Sequence, residues 1–282
     1  MKRQQVLRRQ LASLAMLGEA VNAMKSLSAH HLRSAREGLS AARAYRDGID
    51  ALIASADIAQ VPPHAEPPGL LLIAADLGLC DGYNPRLTEM FLEERRRVGA
   101  KRIYCVGRRP LVALRRADVP VAATYPAVTS VAGVTGLLLT LADDVLGDYL
   151  KGAFGILRVV SARFDGVGAF TPVATQVLPI APSHDARRPA AMPYVSVGRL
   201  TRVAIREYLY STLYELVLDA LASEHGMRLV ATQSAGQWLD ERVSALHRQL
   251  SSVRREAGTQ EVLEVAAGAR QRKRAGATTR LT

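Results

Sequence analysis

From Leu7 onward, apolar or small residues recur every seven positions, at Leu7, Leu14, Val21, Ser28, Ala35, Ala42, Ile49 and Ala56. A second row follows three residues further on, at Leu17, Met24, His31, Gly38, Tyr45 and Leu52. Spacings of three and four mark a helix that buries one stripe. No proline interrupts before Pro62, so the pattern predicts one helix over about residues 3–58, which at 1.5 Å per residue would run roughly 80 Å. Such a helix needs a partner along its length.

The run Val61–Gly69, VPPHAEPPG, ends that helix, because proline removes donors and pushes the preceding residue out of the helical region. Beyond it the period changes. LLLIAAD (Leu70–Asp76) is a short apolar run of buried-strand type, followed by a glycine-containing turn and an amphipathic helix from about Asn84. RIYCVG then reads as strand, RPLVALRRA as helix, VPVAATY as strand, and Thr129–Leu150 as helix. ILRVVSARF and TPVATQVLPI are adjacent enough to form an antiparallel pair. Strand and helix in alternation imply a mainly parallel sheet covered on both faces.

A second linker, APSHDARRPAAMP, spans Ala181–Pro193. Leu200, Val203, Tyr214, Val217 and Leu221 follow at helical spacing, then Leu239, Val243, Leu246, Leu250, Val253 and Ala257 as a heptad seam. Two helical ends that bracket a compact middle can pair, and chain direction makes the pairing antiparallel. The expected fold class is α/β: a long antiparallel two-helix coiled coil formed by both chain ends, plus a central Rossmann-like α/β domain. The expected boundaries are 1–60 for the first helix, 69–181 for the α/β domain, 194–270 for the last helix and 271–282 for a basic tail.

Composition sharpens this in three ways. Aromatics are only 5% of the chain while apolar residues are 49%, which favours long helices over a β-sandwich. The 37 Lys and Arg against 26 Asp and Glu give a net charge of +11, which points to an anionic partner: nucleic acid, an acidic membrane surface or an acidic protein. The two cysteines, Cys80 and Cys105, form no CxxC spacing and suit a reducing compartment. The uncharged run between Asp118 and Asp143 is long enough for a membrane span, but Pro120, Pro126, Gly133 and Gly136 favour buried strand plus helix. The N-terminus lacks the apolar core of a signal peptide and reads as mature sequence.

The order long helix, α/β domain, long helix, together with words in each, resembles the gamma subunit of rotary F-type ATP synthases. EAVNAMKSLS (Glu19–Ser28) is similar to a family segment of the first helix, keeping Ala23 and Met24. IAADLGLCDGYN (Ile73–Asn84) is the most specific block, keeping Asp76, Gly78, Leu79, Cys80, Gly82 and Asn84. LASE at Leu221–Glu224 and RREAGTQEVLEVAAGA (Arg254–Ala269) resemble the family's last helix. Asn22, Trp238, Arg255 and Gly258 depart from the family pattern, which marks a divergent member, of a main or an accessory ATPase.

The resemblance implies a non-catalytic rotor that transmits torque between a membrane c-ring and a catalytic hexamer of alpha and beta subunits. It places hexamer contacts at Met24, Arg254, Arg255, Thr259, Gln260 and Glu261. It places an epsilon-subunit or stator-hexamer contact turn at Asp76, Gly78, Leu79, Cys80 and Gly82, and a c-ring foot at Tyr194. The epsilon subunit joins the expected partners, and the position is peripheral, on the cytoplasmic face of the cell inner membrane. No cofactor and no metal are expected: DLGLCDG is neither GxGxxG nor GxxxxGK[ST], its aspartates repel phosphate, and the histidines lack ligand spacing. The residues alone also leave open a basic coiled-coil scaffold or nucleic-acid-binding protein, although no aromatic-interleaved basic patch supports nucleic acid.

Overall fold

The computed structural model describes residues 2–55, 67–180 and 197–278. Most of the first linker and all of the second lie outside these residues. The elements in chain order are α1 (Lys2–Ser55), β1 (Gly69–Ile73), α2 (Tyr83–Val98), β2 (Arg102–Val106), α3 (Leu111–Arg116), β3 (Ala123–Tyr125), a 3-10 turn (Val131–Gly133), α4 (Val134–Leu150), β4 (Leu157–Gly166), β5 (Ala169–Leu178) and α5 (Val197–Thr278). They divide into two compact units: Met24–Thr232, and the paired segments Met1–Ala23 and Gln233–Thr282. Both α1 and α5 contribute to each.

The unit Met24–Thr232 holds a five-stranded sheet in the order β3-β2-β1-β4-β5. β1 pairs in parallel with β2 and β4, β2 pairs in parallel with β3, and β4 with β5 is antiparallel, as the strand-helix alternation predicts. Successive strand side chains point to opposite faces. Leu70 and Leu72 therefore join Ile103 and Cys105 against Leu87, Phe91 and Leu114 of α2 and α3. Leu71 and Ile73 face the other way, into a core with Leu138 and Leu141 of α4, Leu209 and Leu213 of α5, and Leu39 and Ala42 of α1. The uncharged run 118–143 becomes β3 and part of α4, and no helix among the described residues is long and apolar enough to cross a membrane.

The inner row of α1 differs from the expectation in one respect. The heptad positions Ser28, Ala35 and Ala42 are buried, but the second buried row is Leu32, Leu39 and Ile53, four residues on rather than three, while Leu17, Tyr45 and Leu52 are about half exposed. On a helix of 3.6 residues per turn, a position four along lies about 40° from the seam and a position three along about 60° to the other side. The nearer row is the one the partner covers. On α5, Val217 and Leu221 are buried as expected and Val203 is exposed, while the side chain of Leu200 lies outside the described residues.

Ion pairs reinforce this packing. Arg43 reaches Glu215 and Asp219 at 3.2 Å each, Arg46 reaches Glu215 at 2.6 Å, and the Phe164 amide donates to Asp219, so α1, α5 and β4 meet at one polar knot. In the other unit Leu7 packs with Leu246 and Leu250, flanked by Leu11, Leu14 and Val253. The predicted seam on α5 holds there through Val253. Ala257 is exposed, so the seam stops one position earlier than the sequence suggests.

Glu94 is buried on α2 and ion-paired to Arg97 and to Arg158 at the start of β4, and these partners hold its carboxyl below the usual range. Glu94→Ala strands the largely buried Arg158. We expect a loss of about 2 kcal/mol in urea unfolding, most of it recovered in the double variant Glu94→Leu/Arg158→Met.

Candidate functional site

The IAADLGLCDGYN block forms the turn from β1 into α2. Asp76 is pinned at its base: Oδ1 accepts the Arg108 amide at 2.7 Å and the Ala127 amide at 3.3 Å, and Oδ2 pairs with the Arg108 guanidinium at 3.0 Å. One carboxylate thus ties together the segments that follow β1, β2 and β3. The Asn84 side chain accepts the Ala75 amide at 3.0 Å and donates to the Cys80 sulfur at 3.6 Å. Tyr83, fully buried, donates to the Ala220 carbonyl of α5 at 3.0 Å.

Gly82 takes a positive φ (22°), together with Leu79 (φ 56°) and Asp81 (φ 29°). Gly78 does not. Its lack of a side chain serves a close approach instead, since a Cβ there would stand 2.8 Å from Nη2 of Arg109. Leu79 is left exposed at the tip, beside an open cavity of about 650 Å³ between α2 and α3 lined by Leu92, Arg109 and Pro110. Cys80 is buried, and burial raises its thiol pKa, so it is a packing residue and not a nucleophile.

Beneath the turn lies a polar cluster that sequence reasoning missed. Arg228 of α5 is buried; it donates to the Gly78 carbonyl at 3.1 Å and pairs with the buried Glu224 one helical turn back. It also donates to Nδ1 of His225 at 3.4 Å, while Nε2 of His225 faces the Thr129 carbonyl at 3.0 Å. That geometry selects the neutral tautomer with its proton on Nε2. The ring of His31 of α1 packs against His225, tilted by 42° with centroids 5.0 Å apart. The signal was present as an Arg four residues after a Glu inside an apolar helix, at Glu224 and Arg228, but such pairs are usually solvated. Only the fold shows that the turn covers this one.

The remaining expected residues fall into two groups. Arg254, Arg255, Thr259, Gln260 and Glu261 are all exposed on α5, and every described side chain from Arg254 to Ala269 is exposed except Gly268, which is half-exposed. Met24 is half-buried on α1 and belongs to the unit Met24–Thr232. Tyr194 lies outside the described residues, as do the side chains of the basic tail. Among the described residues no group of His, Cys, Asp and Glu could hold a metal ion.

A sheet domain whose turn is fastened onto a long terminal helix fits a protein of the ATP synthase family: the family model described as ATP synthase matches residues 3–271, and the chain belongs to that family. Within it the similarity is to gamma chains. The ATP synthase gamma chain of Moorella thermoacetica is 29% identical over 278 residues, covering 93% of this chain and 96% of that one. The gamma chain of Geobacter metallireducens is 27% identical over 278 residues with the same coverage. Among solved structures, a chain from the Euglena gracilis mitochondrial ATP synthase (OSCP/F1/c-ring, rotational state 3) superposes with a TM-score of 0.66 at 14% identity, over 98% of this chain and 96% of that one. At that identity the shared property is the fold.

Burial, with the Arg228 charge beside it, depresses the pKa of His225 to about 4, against about 6.5 in an unfolded chain. The unfolded state therefore binds the extra proton between those values. Stability is full above about pH 6.5 and falls as pH drops towards 4, by about 3 kcal/mol in all. His31, also depressed by burial, adds in the same direction. Denaturant midpoints measured across pH 4–7 should show this slope, and His225→Gln should flatten it.

Proposed function

We propose that this chain is the central-stalk rotor, the gamma subunit, of an F-type ATP synthase. It transmits torque between the membrane c-ring and the alpha/beta hexamer and has no catalytic site of its own. The observation that carries this reading is the free C-terminal length of α5. Beyond Val253 no described residue of its own unit covers the helix, yet it exposes Val262, Leu263 and Val265 along with Arg254 and Arg255. A helix exposed on all sides for about four turns that also keeps an apolar cluster, Val262 to Val265, in water is suited to enclosure by other subunits.

In this reading α1 and α5 form an antiparallel coiled coil. Contacts such as Leu7 with Leu250 and Arg43 with Glu215 support it, because the numbering on the two helices runs in opposite directions. The α/β domain occupies about residues 69–181. Arg254, Arg255, Thr259, Gln260 and Glu261 meet the hexamer, with Met24 contributing from α1. The guanidinium forks suit carboxylates on beta-subunit loops. A shaft without threefold symmetry presents a different face to each beta subunit, and rotation by a third of a turn exchanges their states. That coupling requires the shaft to bind one beta conformation better than another. The turn Asp76–Gly82 meets the epsilon subunit or the stator hexamer through exposed Leu79, and Tyr194 lies at the foot on the c-ring. The chain is peripheral, on the cytoplasmic face of the inner membrane.

Tagging the chain in its native host and solubilising membranes gently should recover alpha, beta, epsilon and c subunits in fixed ratio. Recovery alone or with nucleic acid would remove the rotor reading and leave a basic scaffold. In the purified complex, Arg254→Glu/Arg255→Glu should lower ATP-driven ion pumping by about tenfold, the scale of one or two charge-assisted hydrogen bonds, with subunit stoichiometry unchanged.

A further inference from the structure

The helices α1 and α5 run unbroken past the places where the chain divides into its compact units, between Ala23 and Met24 on one and between Thr232 and Gln233 on the other. The apolar contacts do not run unbroken with them. In one unit the cluster of Leu7, Leu246 and Leu250 reaches along α1 as far as Leu14. In the other, the cluster of Ala35, Leu221 and Ala222 begins on α1 at Leu32 and ends on α5 at Leu229. Between these limits Val21 and Met24 are partly buried and Leu239 is buried, but they join neither cluster. The two most deeply buried side chains of the stretch are polar, Ser28 and Thr232. Thr232 Oγ1 donates to the carbonyls of Arg228 at 2.7 Å and Leu229 at 3.0 Å, a back-bond that weakens and bends a helix.

Each helix also carries a glycine here, Gly18 and Gly236, both in the unit that holds the chain ends. They stand at nearly the same level. Leu14 and Trp238 line one open groove of about 500 Å³; Gly18 lies one turn past Leu14, and Gly236 two residues before Trp238, the same direction in an antiparallel pair. Packing requires neither. A Cβ at Gly38 would come within 3.3 Å of Leu218 and one at Gly226 within 3.4 Å of Phe164, but at Gly18 or Gly236 it would meet nothing within 4 Å. Gly48, Gly258 and Gly268 have the same open space, but lie near the end of α1 or in the uncovered length of α5.

We propose that residues 18–28 of α1 and 232–236 of α5 form a flexure, a stretch at which both helices open locally and bend together while the clusters on either side stay closed. Glycine inside a helix weakens it relative to alanine, by about fivefold in local opening at each site. One weak helix would be splinted by a strong partner. Two weak ones at one level are not, and few apolar contacts close the seam there. The flexure rests on the antiparallel pairing of α1 with α5 and not on the rotor assignment.

The test is native-state amide hydrogen exchange on the full-length chain. Amides of residues 18–28 and 232–238 should exchange about tenfold faster than those of 32–39 and 213–224, and faster than those of 242–250. Gly18→Ala/Gly236→Ala should slow exchange in the stretch by about fivefold at each site and leave the flanks unchanged. Gly258→Ala, in equally open space elsewhere on α5, should leave the stretch as in the parent. Bending is read separately by spin labels on Arg8→Cys/Arg33→Cys, two exposed positions of α1, in a chain whose own two cysteines are buried. The distance distribution should be centred near 37 Å, the length of 25 helical residues, and should narrow in the alanine pair. The proposal is overturned if exchange is uniform along both helices, if the alanine pair leaves it unchanged, or if Gly258→Ala slows the stretch equally. A parent distribution already as narrow as that of the alanine pair also overturns it. So does a lowered melting temperature in the pair, since that would show that packing needs the glycines.

Discussion

The structure depends on one constraint: each chain end carries an apolar stripe that the other end must cover. A helix of 54 residues and one of 82 expose too much apolar surface to persist singly in water, and helix propensity contributes little against that. In the sheet-bearing unit, α1 and α5 meet at Leu32 and Ala35 against Leu221 and Ala222, and both press on the sheet beside α4. In the other unit, Leu7, Leu246 and Leu250 close the contact. Past Val253, the side chains of α5 from Arg254 to Ala267 are exposed.

The sheet links that helical frame to the candidate site. Its central strands β1 and β2 are buried on both faces, so the polar work there is pushed to the strand ends. At the ends where the parallel strands finish, Asp76 gathers the following segments by backbone amides, and Arg228 fastens the turn to α5. At the ends where they begin, Glu94 and Asp148 neutralise Arg158 and Arg102. Buried carboxylates and guanidinium groups are costly unless paired, and each such group here lies within reach of an opposite charge. The pairs register one element against the next more than they add stability.

The polar cluster at Glu224, His225 and Arg228 joins the two levels. It sits on a helix that also carries the exposed C-terminal length, and it holds the turn that presents Leu79. Depression of the His225 pKa follows from the burial of the cluster and from the Arg228 charge beside it.

Much of this was legible in the chain itself. Heptad spacing, prolines at 62 and 63, and the alternation of apolar strands with amphipathic helices determined the two terminal helices, the parallel sheet and the antiparallel last pair, because these follow from local periodicity. The block around Asp76 pointed to the turn, and the seam from Leu239 to Val253 to the helix pair. Tertiary structure alone decided which flank of α1 faces inward, since rows three and four residues from a heptad position are nearly equivalent until a partner covers one. It alone decided that Gly78 serves a close approach by Arg109, and that Glu224 and Arg228 are buried and not solvated. It paired Arg102 with Asp148 and Arg158 with Glu94, because charges far apart in the chain meet only when parallel strands bring the connecting helices back to the same end of the sheet.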